Sequence, residues 1–312
     1  MQTWKRGALW SLAAIALLAV AAGEKGLLGQ SNGDATRPAV PAAKDPWPEI
    51  NLNVVVLDKQ GAPQTVDASG FQLFEGGAER PLDFRGSADS PVSLALLIDS
   101  SGSIFKHKDA IIAAVKAIVK GLPDGSEVTA VLFTDIAFLD LPFTAASKVD
   151  FSFLDRLQAR GPTALYDAVV ATEDHMLAHA KFARRSLVIL SDGVDNASHV
   201  PRGEVFRKIE QPGAPVVYSC LLSKAQILQS ELMAGRINMS FLAKRGGGTD
   251  FYLDPDPESA AAKIADAIRS QYVLHFTAAD PARDGKAHKL EVRLPAKDLQ
   301  IHALPVVYAP AQ

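Results

Sequence analysis

From residue 92 to residue 271 the apolar positions follow two alternating rhythms. Residues 92–99 (VSLALLID), 185–193 (RSLVILSDG) and 214–222 (APVVYSCLL) contain short, nearly unbroken apolar runs. Runs of that length suit strands buried on both faces, as in a parallel sheet. Between them lie longer segments whose apolar residues recur three and four apart, which predicts amphipathic helices. These cover residues 108–122, 163–182, 230–246 and 257–271, with a short helix over 204–210. Residues 126–135 and 136–144 predict strands in an antiparallel edge pair, and residues 248–253 predict a further strand. Alternation of this kind predicts an α/β fold: a doubly wound, mostly parallel sheet with helices on both faces, over residues 91–272.

On either side the period changes to that of short strands. INLNVVVLD (residues 50–58) alternates and then turns at Lys59-Gln60-Gly61, and FQLFEGG and PLDFRGS continue with glycine turns. Residues 49–88 therefore predict a small β unit, with INLNVVVLD as an exposed edge. QYVLHFTA, HKLEVRLP and IHALPVVYA predict three flanking strands over residues 273–312. Residues 24–48, rich in Gly, Pro and Ala without a period, read as a linker. Residues 1–23 place Lys5 and Arg6 before an apolar run from Ala8 to Ala22, the plan of a secretory signal, with Ala19-Val20-Ala21 as its cleavage site. The run is short for a spanning helix, which needs about 20 residues, so an uncleaved N-terminal anchor is the alternative. Both readings predict an exported protein, periplasmic, secreted or anchored, whose membrane contact is confined to that segment.

Composition narrows the function classes. The chain is 48% hydrophobic and 21% charged with a net charge of −3, so no basic surface argues for nucleic acid. The single cysteine, Cys220, lies in an apolar run and is expected to be a buried, inert thiol. Nothing in the composition sets an oligomeric state.

Ligands of open α/β sheets sit beyond the carboxyl ends of the strands. Three such ends carry oxygen donors: Asp99, Ser101 and Ser103 in LLIDSSGS, Thr163 in ARGPTALYDA, and Asp192 in LVILSDG. Singly, each serine or threonine reads as a helix cap and SDG as a turn. Together, two carboxylates and three hydroxyls at neighbouring strand ends suit a hard divalent cation, which takes oxygen ligands and retains water. Mg²⁺ is favoured, with Mn²⁺ or Ca²⁺ as alternatives. Other chemistries fit less well: there is no G-x-S-x-G elbow, no Walker loop and no G-x-G-x-x-G after a strand. His175 and His179 are four apart but lack the H-E-x-x-H glutamate; a solvated helix face is expected there, with zinc as the lesser reading.

The ordered set Asp99-x-Ser101-x-Ser103, Thr163 and Asp192-Gly193, phrased as GPTALYDA and LVILSDGVDN, resembles the metal-ion-dependent adhesion site of von Willebrand factor type A domains. The resemblance covers about residues 92–272. The flanking stretches extend it to the VWFA-related proteins abundant in Acidobacteria, although this chain ends in LPVVYAP where those often close on an Arg-Lys-Gly-Tyr-Tyr string. The resemblance implies that Ser101, Ser103 and Thr163 contact the metal, while Asp99 and Asp192 act directly or through water. It also implies that a protein partner completes the coordination with an acidic residue. Asp195 and Asn196 are read as loop-shaping turn residues, and Asp167 as a solvated or helix-start charge. The leading expectation is an exported, non-enzymatic, metal-dependent protein-binding module. The alternatives are an assembly scaffold with a stabilising metal, using β-addition through the first strand, and a metal-dependent hydrolase.

Overall fold

The computed structural model of this chain describes residues 47–86, 90–222, 230–296 and 298–311. The signal or anchor expected over residues 1–23 lies outside the described residues, as does the linker up to residue 46.

Fourteen strands and five α-helices are described. Residues 47–86 contribute β1 (Glu49–Asp58), β2 (Gln72–Glu75), β3 (Ala78–Arg80) and β4 (Asp83–Gly86). The alternating region follows as β5 (Ser93–Asp99), α1 (Lys108–Lys120), β6 (Glu127–Phe133), β7 (Ala137–Ala145), α2 (Leu165–His179), β8 (Arg185–Ser191) and α3 (Arg202–Ile209). It continues through β9 (Val216–Leu221), α4 (Ser230–Arg245), β10 (Asp250–Tyr252) and α5 (Pro257–Arg269). The chain closes with β11 (Tyr272–Thr277), β12 (Ala287–Arg293), β13 (Leu299–Ala303) and β14 (Val306–Tyr308).

The expected α/β architecture is present. A six-stranded sheet runs in the order β10-β9-β8-β5-β6-β7, parallel throughout except for β7, which pairs antiparallel with β6 at one edge. Every residue of β5, β8 and β9 is buried. Successive side chains leave a strand on opposite faces. Leu94, Leu96 and Ile98 of β5 thus enter a core with Ile111, Val115 and Ile118 of α1 and Ile264 and Ile268 of α5. Ala95 and Leu97 enter a second core with Leu165 and Val169 of α2, Val205 of α3 and Met239 and Leu242 of α4. A buried aliphatic side chain contributes about 1.5–3 kcal/mol, so the unbroken apolar runs are what hold the sheet in the middle layer.

The flanking strands depart from the sequence reading. Residues 49–88 and 273–312 do not make separate units, because strands from the two ends of the chain alternate within the same sheets. One antiparallel sheet runs β13-β1-β11-β4 and another β14-β12-β2-β3. Ile50, Leu52, Val54 and Val56 of β1 share a third core with Leu73, Tyr272, Leu274, Phe276 and Val307. INLNVVVLD is consequently not an edge: β1 is bonded on one side to β11 and on the other to β13. Its opposite face is also covered, with Val55 and Leu57 packed into the core beneath α1 and α5. The linker boundary at residue 48 also moves, since Trp47 is buried in the third core and donates its indole N–H to the Pro281 carbonyl at 3.1 Å.

The two parts meet at the amino ends of the parallel strands. Gln271 donates to Asn53 Oδ1 (2.6 Å) and to the Arg185 carbonyl (2.9 Å), and accepts from Ser186 Oγ (2.7 Å). Asn53 in turn donates to the Ala214 carbonyl at 3.3 Å. That docking leaves the carboxyl ends of the strands open.

Candidate functional site

Asp99 is the last residue of β5, and the pairing of β5 with β8 brings Ile98 level with Leu190. Ser191 therefore stands beside Asp99, with Asp192 one step beyond the strand end. Strand alternation sends Asp99 and Ser191 to the same face of the sheet. The carboxylate of Asp99 is held from two sides: Oδ1 accepts the Ser101 N–H at 2.8 Å and Oδ2 accepts the Ser191 hydroxyl at 2.6 Å. Ser191 Oγ also accepts the Gly193 N–H at 2.9 Å, which fixes the turn carrying Asp192. The Ser101 and Ser103 hydroxyls lie 3.1 Å apart. Asp99 and Ser101 are buried, whereas Ser103 is exposed.

Burial pushes the Asp99 carboxyl up to about 6; the Ser101 and Ser191 hydrogen bonds oppose that rise and the nearby Asp192 charge adds to it. Asp192 Oδ1 accepts the Val194 N–H at 3.0 Å. The turn is tightly seated. Gly193 has φ +79°, and a Cβ built there would lie 2.2 Å from the Gly235 carbonyl oxygen of α4.

The loop bearing Thr163 is fastened to both neighbours. Ser100 accepts the Arg160 N–H on its carbonyl and the Gln158 N–H on its hydroxyl, each at 3.0 Å, while the Gly102 N–H meets the Gly161 carbonyl at 3.1 Å. On the other side Asn196 Oδ1 accepts the Thr163 N–H at 2.8 Å, and the Thr163 carbonyl accepts the N–H groups of Asn196 and Ala197. The structure thus joins the three loops that carry Asp99, Ser101, Ser103, Thr163 and Asp192. The hydroxyl of Thr163 and the second oxygen of Asp192 have no hydrogen-bond partner among the described residues.

These residues fit a hard divalent cation by the chemistry of the set: neutral hydroxyls, two carboxylates and donor oxygens left without protein partners. Among the described residues no three His, Cys, Asp or Glu side chains gather as a metal cluster. His179 is exposed on α2, as expected, but His175 one turn earlier is half-buried. Its ring stacks on Phe143, its Nε2 lies 3.3 Å from Thr129 Oγ1, and burial draws its pKa down to about 4. Cys220 is buried in β9, with its thiol pushed up to about 12.

Several supporting residues escaped the sequence reading. Ser191 holds Asp99, and the one visible signal is a small hydroxyl closing an otherwise aliphatic strand. Ser100, on the opposite face from the donors, anchors the 158–160 backbone. Asp167 is neither free nor solely a helix-start charge: its carboxylate accepts the N–H groups of His199 and Val200. Asp195 accepts the Ser198 hydroxyl at 2.5 Å, and that hydroxyl receives the first N–H groups of α2.

Comparison with solved structures finds matches at low sequence identity. A von Willebrand factor type A protein from Catenulispora acidiphila is 13% identical, covering 79% of this chain and 75% of its own, with a TM-score of 0.48. The PilB minor pilin of Streptococcus sanguinis is 13% identical over 60% of this chain and 62% of its own, with a TM-score of 0.43. BatB from Bacteroides thetaiotaomicron is 16% identical over 57% of this chain and 100% of its own, also at 0.43. A search among curated proteins finds no match. Residues 94–194 match the family model of the von Willebrand factor type A domain.

Proposed function

We propose that this chain is an exported, non-enzymatic, metal-dependent protein-binding module in which a divalent cation at the Asp99 loop engages an acidic residue of a protein partner. Domains of this family often mediate protein–protein interaction, which supports the general class. The observation that carries the metal reading is the arrangement at the strand ends. A buried Asp99 carboxylate is fixed by Ser101 and Ser191, next to the paired Ser101 and Ser103 hydroxyls and across from the Asp192 turn.

Ser101, Ser103 and Thr163 would hold the ion directly, with Asp99 and Asp192 doing so directly or through water. The ion would supply positive charge and an open coordination position for a carboxylate. Two aspartates offset a divalent charge without exceeding it, so an acidic group is still attracted. The hydroxyl-rich set favours Mg²⁺, with Mn²⁺ or Ca²⁺ as substitutes. Export rests on residues 1–23. Among the described residues no helix is long and apolar enough to cross a membrane. The scaffold alternative loses its strand-addition edge, because β1 is paired on both sides.

The test is calorimetric titration of Mg²⁺ into the full chain, its Asp99→Ala form and its Ser103→Ala form, with melting temperature followed in parallel. Saturable binding that Asp99→Ala abolishes and Ser103→Ala weakens is expected. Ser103 is exposed, so its variant keeps the test meaningful should Asp99→Ala fold poorly. Absence of binding to the unmodified chain would overturn the metal reading.

A further inference from the structure

A cleft of about 710 Å³ opens between β7 and the 156–162 loop, immediately beside the candidate metal site. Ser100, which follows Asp99, lines it on one side, and Gly161 and Pro162, which precede Thr163, line it on the other. A segment reaching the Asp99 loop therefore passes its mouth. The volume falls in the range of sites that take small ligands or single side chains, about 300–1,000 Å³.

Phe138, Leu139, Pro142 and Pro162 give it apolar walls, while Asp135, Asp140, Arg156 and Arg160 bring charges of both signs to its lining. Phe138 is 41% exposed, and Ile136 at the tip of the β6–β7 hairpin is 50% exposed. Phe105, two residues beyond Ser103, is 73% exposed. Single exposed apolar residues are ordinary, but a run of them on the loops at one end of a sheet marks an interaction surface.

The two arginines of the cleft differ. Arg156 is committed: its guanidinium meets the Asp140 carboxylate at 2.7 Å and the Asp140 carbonyl at 2.9 Å. Arg160 is exposed, and its side chain makes no ion pair or hydrogen bond among the described residues. Its backbone, by contrast, is fixed by the Arg160 N–H to Ser100 carbonyl bond, between Ala159 at φ +51° and Gly161 at φ +90°. A left-handed conformation is unfavourable for a residue with a Cβ, so the loop is held in shape by its surroundings. The fixed backbone thereby brings an exposed guanidinium without an ion pair to the rim of the cleft, whose other unpaired charge among the described residues is Asp135.

We propose that this cleft is the specificity subsite of the binding face: it takes an aromatic or large aliphatic side chain of a protein segment that also carries a second carboxylate, paired by Arg160. The assignment rests on the metal-dependent reading above, in which a first carboxylate of the same segment goes to the Asp99 loop. Guanidinium and carboxylate match as a fork, and the apolar walls desolvate the pair's surroundings.

The experiment pans the immobilised full chain, in Mg²⁺, against short random peptides carrying one fixed aspartate. Affinities of the enriched peptides are then measured for the unmodified chain and for Asp99→Ala, Phe138→Ser and Arg160→Glu. The expected peptides share a large apolar residue and a second acid at constant spacing from the aspartate. Phe138→Ser and Arg160→Glu each weaken them by roughly tenfold or more, as loss of a central interface contact does. Amidation of the second acid should abolish the sensitivity to Arg160→Glu. If Phe138→Ser lowers the melting temperature, Arg160→Glu at its exposed position carries the test. Peptides that need Mg²⁺ and Asp99 but ignore both cleft variants overturn the subsite and leave the metal reading intact. Peptides that need the cleft but not Asp99 overturn the metal reading and with it this assignment. Failure to enrich any peptide overturns the subsite.

Discussion

Replacing Gly235 by Ala sets two physical effects against each other in one methyl group. Gly235 lies within α4, where Ala is favoured over Gly by about 0.8–1 kcal/mol. Helix propensity by itself predicts a stabilised protein. The packing predicts the opposite. A Cβ at 235 would lie 2.4 Å from the Asp192 carbonyl oxygen and 2.9 Å from both the Gly193 carbonyl carbon and the Val194 nitrogen. All three are backbone atoms of the turn that carries a candidate ligand, so no side chain can swing aside. Ordinary contact between heavy atoms lies near 3.5 Å, so helix and turn must separate by about an ångström. Overpacking of that kind costs about 1–3 kcal/mol, and rigid backbone on both sides places the cost toward the upper end. The net expectation is a loss of about 2 kcal/mol, with a melting temperature several degrees lower. Gly203 in α3 is the control, since a Cβ there meets nothing within 4 Å. Gly203→Ala should be neutral or stabilising by up to about 1 kcal/mol. Urea unfolding of both variants, read by circular dichroism, decides the matter. If Gly235→Ala matches or exceeds the unmodified chain in stability, the close seating of the Asp192 turn on α4 is wrong.

Other outcomes follow from the fold. Glu173 of α2 is fully buried with both carboxylate oxygens unpartnered, facing Lys208, Asp174 and Gln211, and burial raises its pKa to about 8. The folded state then binds the proton more tightly than the unfolded state. Stability present below about pH 4.5 is lost as pH rises toward 8, with a slope of up to about 1.4 kcal/mol per pH unit; Glu173→Gln should flatten that slope in melting curves taken from pH 5 to 9, and an unchanged slope would refute the assignment. Ser191→Ala removes the hydroxyl donor to Asp99 and the acceptor of the Gly193 N–H, and should cost about 1.5–3 kcal/mol in urea unfolding; a change under 0.5 kcal/mol would contradict the bonding seen here. Gln271→Leu takes the donor from Asn53 Oδ1, the acceptor from the Ser186 hydroxyl and a donor from the Arg185 carbonyl, all buried. It should cost about 2–5 kcal/mol, and an unaffected melting temperature would show that the network does not join the two parts of the chain.

The α/β layers were legible in the sequence because their signal is local. A strand buried on both faces must be apolar at every position, as LALLI is, and a helix on such a sheet must repeat its apolar face every three to four residues. The placing of Asp99 and Asp192 at strand ends, with Ser101 and Ser103 just beyond the first, was legible for the same reason, since each follows an apolar run; Thr163 instead lies in the 157–164 loop, between a 3-10 turn at Phe151–Arg156 and α2, and not at a strand end. What the loops do to one another was not. Ser191 becomes the partner of Asp99 only through the register of β5 on β8, and Asn196 meets Thr163 only because α2 begins where the 192–198 turn passes. The partnership of β1 with β11 and β13 joins residues more than two hundred positions apart. INLNVVVLD reads as an edge strand, and nothing within it shows that both of its edges will be occupied. His175 reads as a surface residue until the edge strand folds back and lays Phe143 over it. Periodicity fixes which faces must be buried, because transfer from water depends on each residue's own surface. Which strand, loop or ring covers them depends on close packing between distant segments, and that is decided only when the whole chain is folded.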